Sequence, residues 1–572
     1  MSENHERTWR AYKEFTDDEV AHHAAILGVS HFYTRLLLIR GITTVEQATN
    51  FFSPNPNLLF DPFLMMDMDK AVDRISLAKD NNQIIWVYGD YDVDGTTSVA
   101  LVFSFLRQFF DNIEYYVPDR EKEGYGISKL SVDLAAEKGV KLIIALDCGI
   151  RSVELIDYAA NLGVHYIICD HHEPGDKLPN AIAVLDPKRT DCSYPFQELS
   201  GCGIGFKLVQ ALCVAWDLPE EDAFEYLDFV AVSVASDLVP MVDENRILTS
   251  LGLIKLNENP SPGLKMIIEK FIDKPDLDVT NVVFMIGPRI NAAGRMAHAK
   301  SAVQLLLAED EDEADKLSVK LNEYNLTRRG LDKSITAEAL EQIEDDASHK
   351  DRKTTVVYAP NWHKGVVGIV ASRLMEVHYR PTIVLTQTGN ALVGSARSIE
   401  AFNVHDALVA CSEVLIQFGG HKYAAGLKLE PANLDRFKVL FEASADELTS
   451  EELTLVLKYE AEIPLSAIHE QLVTNLKRFA PHGPENPQPL FLTKNVWDTG
   501  QAKTMGGDHS HLRLNVVDES NNQALGAVCF GMGDLFRNLN KRQKFDMLYT
   551  IEENHFNGRT SIQLMVKDIR LA

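Results

Sequence analysis

Short apolar runs that end in polar clusters alternate with amphipathic stretches from about residue 84 onward. The runs are IIWVY (84–88), IEYYV (113–117), KLIIALD (141–147) and VHYIICD (164–170). β-Branched runs of this length predict buried strands, and the stretches between them, such as residues 96–110, predict helices. The alternation favours a parallel sheet covered by helices on both faces, where ligands bind beyond the carboxyl ends of the strands.

The pattern changes further along the chain. A helical region extends to about residue 300, and residues 301–350 then carry 13 Asp or Glu against 6 Lys or Arg. This segment predicts a long solvated helix between domains, in which Gly330 would allow a break or bend. A second α/β pattern follows, with runs at 354–360, 381–387 and 391–397. After the turn-rich PHGPENPQP (481–489), alternating runs predict a small, mainly β barrel or sandwich; they span 511–517, 524–530 and 545–551.

Composition limits the class of protein. The 572 residues, 45% of them hydrophobic, suffice for three or four domains with their own cores. The formal charge of −27 means that the molecule as a whole repels a phosphate backbone, so a nucleic acid would have to enter by a local route. The sequence shows no signal peptide and no apolar stretch of the roughly 18 residues that would span a membrane. Its seven cysteines include no CxxC pair. We therefore expect a cytoplasmic protein with reduced cysteines and no membrane contact.

Acidic residues follow three of the predicted strands. GDYDVDG (89–95) contributes Asp90, Asp92 and Asp94, ALDCG contributes Asp147, and CDHHEP contributes Asp170 with His171 and His172. Spacing by two in an extended segment would place the first three carboxylates on one face, with a helix starting near Thr96. One further acid, Asp237, lies in the apolar stretch FVAVSVASDLVP (229–240).

A single aspartate at a strand end is most often a helix N-cap. The whole cluster does not fit that interpretation, because five or more carboxylates at one rim would raise one another's pKa unless cations neutralised them. Oxygen ligands with one or two imidazoles suit Mn²⁺ or Mg²⁺. A bridging carboxylate with flanking ligands indicates two metals about 4 Å apart, an arrangement that activates water and holds a phosphoryl group.

Basic and glycine-rich segments are candidates for phosphate binding. GSARS (394–398) places Ser395 and Arg397 at a strand end, and the amides of FGGHKYAAG (418–426) could form an anion nest or simply a tight turn. The segment GCGIGF (201–206) is interpreted as helix-start packing, and without a Walker A motif no nucleotide cofactor is expected. Three aromatic side chains near the carboxyl end could stack on bases or lie in the core: Phe530, Phe536 and Tyr549.

These motifs carry a resemblance. GDYDVDG, ALDCG, DHHEP and ASDLVP resemble, in order, the four motifs of the DHH phosphoesterase superfamily. PDREKEGYG (118–126), NAAGRM (291–296), WHKGVVGIVASRL (362–374), GSARS and FGGHKYAAG resemble the RecJ family of single-stranded-DNA-specific exonucleases. The resemblance covers essentially the whole chain. It implies an α/β fold with a parallel-sheet DHH catalytic domain, a long connecting helix, a second smaller α/β (DHH-associated) domain and a carboxyl-terminal β-barrel of the OB-fold type.

The boundaries that the resemblance implies are a helical segment at 1–75, the catalytic domain at 76–310, the connecting helix at 311–350, the DHH-associated domain at 351–453 and the OB-fold at 454–572. The implied metal ligands are Asp90, Asp92, Asp94, Asp147, His171 and Asp237. Asp147 would bridge the metals, and His172 would touch metal or the scissile phosphate. Tyr88 stands where related family II pyrophosphatases carry a histidine ligand, and Asp90 would replace it. The implied contacts to DNA are Arg120, Tyr125, Asn291, Arg295, Arg373, Ser395, Arg397, Gly419, Gly420 and His421.

The activity implied is hydrolysis of single-stranded DNA from 5′ to 3′ with Mn²⁺ or Mg²⁺, releasing 5′-mononucleotides in recombination and repair. A single-strand-binding protein and a RecQ-type helicase would be further partners, and the chain would be a monomer. Two alternatives remain open at this point. One is a DHH-type enzyme acting on oligoribonucleotides or cyclic dinucleotides, and the other is a binding protein that has lost catalysis.

Overall fold

The first sheet carries the acidic strand ends. In the computed structural model of the protein, residues 7–507, 509–539, 543–556 and 559–571 are described. Five parallel strands lie in the order β3-β2-β4-β5-β6, so that their carboxyl ends form one rim. The four apolar runs predicted to be strands are confirmed. The strands are β2 (Ile85–Gly89), β3 (Ile113–Tyr116), β4 (Leu142–Leu146), β5 (His165–Cys169) and β6 (Ala183–Leu185).

Helices cover both faces of this sheet, and the strands β2 and β4 are therefore buried along their whole length. The helices of this part are α4 (Met68–Asp80), α5 (Val93–Leu106), α6 (Lys129–Glu137), α7 (Val153–Asn161), α8 (Gly201–Ala215), α9 (Glu221–Phe224), α10 (Leu227–Asp237), α11 (Asp243–Glu258), α12 (Pro262–Phe271), α13 (Val279–Asn281), α14 (Gly287–Met296) and α15 (Lys300–Leu306). A π-helical turn, Val282–Ile286, joins α13 to α14.

A single long helix, α16 (Glu311–Asp345), connects the two α/β parts. It continues through Gly330, so the break that the sequence would have allowed is absent from this helix. Its first half packs on α12 and α14, and its second half buries Ile335, Ala339 and Ile343 against the second α/β part. Packing at both ends therefore holds the glycine in helical conformation.

The second sheet is mixed, in the order β10-β11-β9-β8-β7, and its three predicted runs are confirmed as strands. Only β7 and β8 are parallel. The hairpin between β10 and β11 places the FGGHKYAAG segment at the end of β9. The elements are β7 (Thr355–Tyr358), α17 (Val367–His378), β8 (Thr382–Thr388), β9 (Ala391–Arg397), α18 (Val404–Ala410), β10 (Leu415–Gly420), β11 (Ala424–Leu429) and α19 (Leu434–Ala443).

The last part is a closed barrel, as predicted. Strands pair in the order β14-β18-β19-β17-β16, and β16 pairs again with β14 to close the ring. The elements are β12 (Val456–Tyr459), β13 (Ala461–Glu462), α20 (Glu470–Lys477), β14 (Phe491–Asp498), β15 (Lys503–Met505), β16 (His511–Asp518), β17 (Asn521–Cys529), β18 (Phe545–Phe556) and β19 (Arg559–Leu571).

The amino-terminal elements pack on this barrel rather than on the first sheet. They are β1 (Thr8–Ala11), α1 (Asp17–Leu27), α2 (His31–Ile39) and α3 (Val45–Phe52). Strand β1 pairs in parallel with β12, and Leu36, Leu37 and Ile42 lie in the barrel core. The two ends of the described chain therefore stabilise one structural unit.

The barrel corrects one expectation about stacking residues. Tyr549 is fully buried, and its hydroxyl lies 2.7 Å from Thr493 Oγ1, so it is a core residue. Phe530 is 58% exposed and Phe536 is 42% exposed, which leaves both rings accessible. None of the helices in the described ranges is both long and apolar enough to cross a membrane.

Candidate metal centre

The turn after β2 differs from the sequence prediction. The chain does not remain extended to residue 95, because α5 begins at Val93 and Asp92 is its N-cap. Asp92 Oδ1 accepts a hydrogen bond from Gly95 N at 3.0 Å, which is the ordinary capping role of an aspartate. A Cβ at residue 95 would lie 2.5 Å from Asp90 O, so glycine permits the tight turn. The prediction of one extended acidic face was therefore wrong.

Four side chains nevertheless converge at the rim. His171 Nε2 lies 3.2 Å from Asp147 Oδ1, 3.6 Å from Asp237 Oδ2 and 3.7 Å from Asp94 Oδ2. His171 follows β5, Asp147 follows β4, Asp237 ends α10 and Asp94 lies in the first turn of α5. We call them the carboxylate cluster: Asp94, Asp147, His171 and Asp237. Ligand atoms of Asp94, His171 and Asp237 lie within 4.8 Å of one another, and so do those of Asp147, His171 and His172.

The amino-terminal end of α8 holds Asp94 in place. Gly201 N and Cys202 N donate to the two oxygens of Asp94 at 2.7 and 2.8 Å, and Ser233 Oγ donates at 2.7 Å. A helix amino terminus favours a negative charge, so the fold fixes this carboxylate where its charge is stabilised. Nothing in the sequence pattern indicated this role for GCGIGF beyond its glycines at a helix start.

Gly201 also limits the space in the cluster, which gives a testable prediction. A Cβ at this position would lie 2.8 Å from Asp147 Cβ and 3.1 Å from Asp94 Oδ2. We expect Gly201→Ala to displace both carboxylates and to weaken Mn²⁺ binding about tenfold, as other changes around metal ligands do. Isothermal titration with Mn²⁺ measures the effect.

The matched control is Gly203→Ala in the same helix, where the new Cβ would meet its nearest neighbours at 3.4 to 3.5 Å, an ordinary contact distance. Equal Mn²⁺ affinities in the two variants would contradict the steric argument.

Burial and mutual repulsion make the cluster unfavourable without a cation. Burial, together with the charges of Asp94 and Asp92, raises the pKa values of Asp147 and Asp237 well above their ordinary range. Burial lowers the pKa of His171 in spite of the charge of Asp94, so its imidazole stays neutral and able to bind metal. Carboxylate oxygens with one or two imidazoles are the ligands that Mn²⁺ and Mg²⁺ prefer, and this donor set fits them.

Asp90 and Asp92 lie beside this cluster but in neither of its two ligand groups. Asp90 is fully buried, and its Oδ2 has no hydrogen-bond partner within the described residues. Such an unpaired buried oxygen suits a bound cation. Tyr88 does not take that place, because its hydroxyl donates to Gly126 O at 2.8 Å.

Asp170 orients the histidine pair. Its Oδ1 lies 2.7 Å from His172 Nδ1 and accepts from His171 N at 2.8 Å, while its Oδ2 accepts from Ile150 N at 2.9 Å. Although burial opposes ionisation, the hydrogen bond and charge of His172 lower the pKa of Asp170 to about 2. In turn, and against the effect of burial, Asp170 raises the pKa of His172 to about 9. His172 is therefore a cation, with its Nε2 at 3.1 Å from Tyr125 Oη.

Three arginines lie close together beside the carboxylate cluster. Desolvation and the charges of Arg120 and Arg397 lower the pKa of Arg295 to about 10, and desolvation and Arg120 lower the pKa of Arg397. Arg397 Nη1 donates to Ser395 Oγ at 2.9 Å, and Arg295 Nη1 donates to Gly365 O at 3.2 Å. We call Arg120, Arg295, Arg397 and Ser395 the arginine pocket. Partly buried guanidinium groups that repel one another indicate an anion site.

Helix α17 begins at the same pocket. A Cβ at Gly368 would lie 3.0 Å from Ser395 Oγ and 3.1 Å from Arg397 Nη2. The first turn of the helix therefore comes close to both side chains, and its free amides add to the positive potential.

The remaining predicted contacts lie at different distances from this pocket. Desolvation and the charges of Arg397 and His172 lower the pKa of His421, so this histidine lies near both the pocket and His172. Gly419 and Gly420 end β10 and pair with Gly426 and Ala425 of β11, so the tight turn of this hairpin lies at 421–423. Gly420 has a φ of 144°, and a Cβ there would lie 2.3 Å from Ala424 O, so glycine permits the close approach of the two strands. Asn291 precedes Arg295 by one turn of α14. Arg373 points away to α16, where its Nη2 donates to Asp332 Oδ2 at 2.8 Å.

Sequence profiles match all three parts of the structure. The DHH family, N-terminal domain, matches residues 84–234, the DHHA1 domain matches 351–447 and the RecJ OB domain matches 459–568. The single-stranded-DNA-specific exonuclease RecJ of Bacillus subtilis (strain 168) is 36% identical over 95% of this chain and 68% of its own length.

Two solved structures of RecJ from Thermus thermophilus superimpose on 99% of the chain. The complex with Mn²⁺ has a TM-score of 0.84 at 26% identity and is covered over 80% of its length. The complex with Mg²⁺ has a TM-score of 0.79 at 25% identity and is covered over 78%.

The fold, the acidic residues at the strand ends and the profile matches together define a DHH-type protein with a DHHA1 domain and an OB domain. The identity to the Bacillus relative extends over most of both chains and identifies the particular family. The chain belongs to the RecJ family.

Proposed function

We propose that the protein is a metal-dependent exonuclease that degrades single-stranded DNA from 5′ to 3′, releases 5′-mononucleotides and acts in recombination and repair. One observation carries the proposal: three arginines from the two α/β parts lie close together beside the acids at the strand ends. Arg295 of the first part donates to Gly365 O of the second at 3.2 Å, and after desolvation the charges of Arg120, Arg397 and Asp92 all act on its pKa. A phosphate held by the pocket would place the next phosphodiester at the cluster.

The cluster would hold two Mn²⁺ or Mg²⁺ ions. Asp147 is the proposed bridge, since its Oδ1 lies 3.2 Å from His171 Nε2 and 4.0 Å from His172 Nδ1, and burial together with the charges of the neighbouring acids raises its pKa. On one side Asp94, His171 and Asp237 form a ligand group, and on the other Asp90 and Asp92, with the unpaired oxygen of Asp90, would complete the second. Bound there, the ions would supply the activation of water and neutralisation of charge at phosphorus that phosphodiester hydrolysis requires. The chain's own part is to fix the ligands, through α8 and Asp170.

The other residues would bind and orient the strand. His172 lies beside the cluster with its Nδ1 held by Asp170 Oδ1 at 2.7 Å, and its Nε2, now 3.1 Å from Tyr125 Oη, would exchange that hydroxyl for a non-bridging phosphate oxygen and donate to it. Ser395, Arg397, Arg120 and Arg295 would hold the 5′ phosphate. His421, with Gly419 and Gly420 at the end of β10, would contact the backbone next to it.

The barrel would bind the strand further away. The ring of Phe530 is exposed and lies 5.0 Å from that of His511 in an edge arrangement. An exposed aromatic pair on an OB-type barrel is suited to stacking with bases of any sequence. This supports a long single strand as substrate over a dinucleotide.

Cleavage of end-labelled single-stranded DNA with Mn²⁺, Mg²⁺ or chelator tests the proposal. We expect mononucleotides released from the 5′ end with either metal and none with chelator, because the cluster is unfavourable without cations. Duplex DNA, a short RNA and a cyclic dinucleotide are the comparison substrates. Faster turnover of the cyclic dinucleotide or of short RNA would favour the rival DHH-type activity, and DNA binding without cleavage in Mn²⁺ would favour a binding protein.

Partners, location and boundaries complete the proposal. We propose that a single-strand-binding protein and a RecQ-type helicase supply the strand, that the protein acts as a monomer, and that it does so in the cytoplasm, where chromosomal single strands form. We keep the domain boundaries at 76–310, 311–350, 351–453 and 454–572. The span of α16 and the profile matches support the boundaries from 310 onward. The boundary proposed at 75 falls inside α4 (Met68–Asp80), and the segment before it contains β1 as well as helices.

A further inference from the structure

The turn PHGPENPQP (481–489) lies against the segment that follows Asp237. Met241 N donates to Pro484 O at 2.8 Å. A Cβ at Gly483 would lie 3.0 Å from Met241 Cβ, so the turn and this segment are in close contact. The contact is four residues beyond Asp237 along the chain, although the turn belongs to the barrel part.

Arg246 of α11 binds the start of the same turn. Its guanidinium donates to Phe479 O at 3.0 Å, to Ala480 O at 2.8 Å and to Pro481 O at 3.1 Å. The side chain is buried, with 4% of the residue exposed. A forked cation that satisfies three consecutive carbonyls fixes the turn in position as well as in orientation.

The barrel side holds the turn just as firmly. Asn486 Nδ2 donates to Phe479 O at 2.9 Å and to Pro481 O at 2.8 Å, and its Oδ1 accepts from Arg40 Nε at 2.7 Å. Arg40 forms a buried ion pair with Glu460 at 2.8 Å, next to β12. The turn is therefore rigid, and it connects the barrel to the chain after Asp237.

The backbone at Asp237 needs such support. Leu238, its neighbour, has a φ of 58° in the left-handed region, which is unfavourable for a residue with a side chain. A strained conformation persists only where the surrounding structure fixes it. The stretch from Leu238 to Val242 is fixed by Pro484 O at Met241 N and by Asn245 Nδ2, which donates to Pro240 O at 3.0 Å.

We propose that the 481–489 turn, bound by Arg246, is a positioning device that holds Asp237 in the geometry required for metal binding and so couples the barrel to the metal centre. The inference rests on the proposed function, in which Asp237 is a metal ligand. A turn that only joined the two parts would affect stability alone. A positioning turn affects the affinity of the metal site as well.

The test is the Mn²⁺ affinity of the full chain, measured from the paramagnetic resonance signal of free Mn²⁺. Arg246→Lys keeps the charge but loses the fork, so we expect Mn²⁺ to bind about tenfold more weakly, as for other residues that orient metal ligands. Single-stranded DNA binding without metal and the cooperative unfolding transition should remain. Cleavage should be reduced at limiting Mn²⁺ and recover at saturating Mn²⁺.

Arg478→Gln is the matched control. Arg478 lies at the entry of the same turn, but its guanidinium stacks over the Phe52 ring at 4.8 Å instead of binding the turn. Its Mn²⁺ affinity should equal that of the unsubstituted chain. If Arg246→Lys fails to fold, Gly483→Ala replaces it, since the new methyl group presses directly on Met241.

Unchanged Mn²⁺ affinity in a folded Arg246→Lys or Gly483→Ala variant, with only a lower unfolding temperature, would overturn the positioning role. An equal loss of affinity in Arg478→Gln would do the same. Failure of the proposed function is a separate result, since an unsubstituted chain that binds Mn²⁺ but does not cleave DNA still allows this comparison.

Discussion

Asp147→Ala is expected to abolish cleavage of single-stranded DNA, with a loss of more than about 10³-fold, because the substitution removes the carboxylate proposed to bridge the two metals. Asp147 Oδ1 lies 3.2 Å from His171 Nε2 and 4.0 Å from His172 Nδ1, and the side chain is buried. DNA affinity in the absence of metal should stay the same or rise, since one repelling charge is lost. Rates with labelled DNA and fluorescence anisotropy measure the two quantities.

Asp186→Asn is the matched control for this prediction. Asp186 also follows a strand of the first sheet and is fully buried, and its Oδ1 accepts from Lys188 N at 2.8 Å. Its Oδ2 is unpaired within the described residues, as that of Asp90 is, but it belongs to neither ligand group, so the variant also tests whether an unpaired buried oxygen matters on its own. We expect its cleavage rate to remain within a few-fold of the unsubstituted chain. Near-normal turnover in Asp147→Ala, or an equal loss in Asp186→Asn, would refute the bridging role.

The position of the acids could be predicted because the alternation of apolar runs and amphipathic stretches indicated a parallel sheet. Acids followed three of the predicted strands, and parallel strands bring their carboxyl ends to one rim, so Asp147 and His171 were expected to lie at the same edge of the sheet. Asp237 was harder, since it ends a helix; its isolation among apolar residues was the only signal. The structure now places all three within one cluster.

The sequence pattern could not predict the features that depend on contacts between distant segments. Asp94 is fixed by Gly201, 107 residues later, and no local signal marks that pairing. The choice between an extended strand and a helix at Asp92 was decided by a single capping hydrogen bond. Arg373 and Arg397 looked alike in the sequence, yet one is paired with Asp332 and the other faces Arg120 and Arg295.

That difference between two arginines allows the second major prediction. Arg397→Ala is expected to weaken capture of 5′-phosphorylated single-stranded DNA about 10²-fold, because truncating a desolvated charge that pairs with an anion costs several kcal/mol. The effect should appear in KM and Kd, with kcat at saturating DNA much less changed. A 5′-hydroxyl strand should bind the variant and the unsubstituted chain almost equally, since the lost contact is to the terminal phosphate.

Arg373→Ala serves as the comparison, since it removes another arginine of the second α/β part. Its guanidinium already has a partner at 2.8 Å in Asp332, so we expect a much smaller loss of affinity and no dependence on the 5′ phosphate. Normal DNA affinity with a low kcat in Arg397→Ala would instead indicate that Arg397 acts in the chemical step rather than in strand binding. Equal effects of the two substitutions would show that general positive charge, rather than a built phosphate pocket, holds the strand.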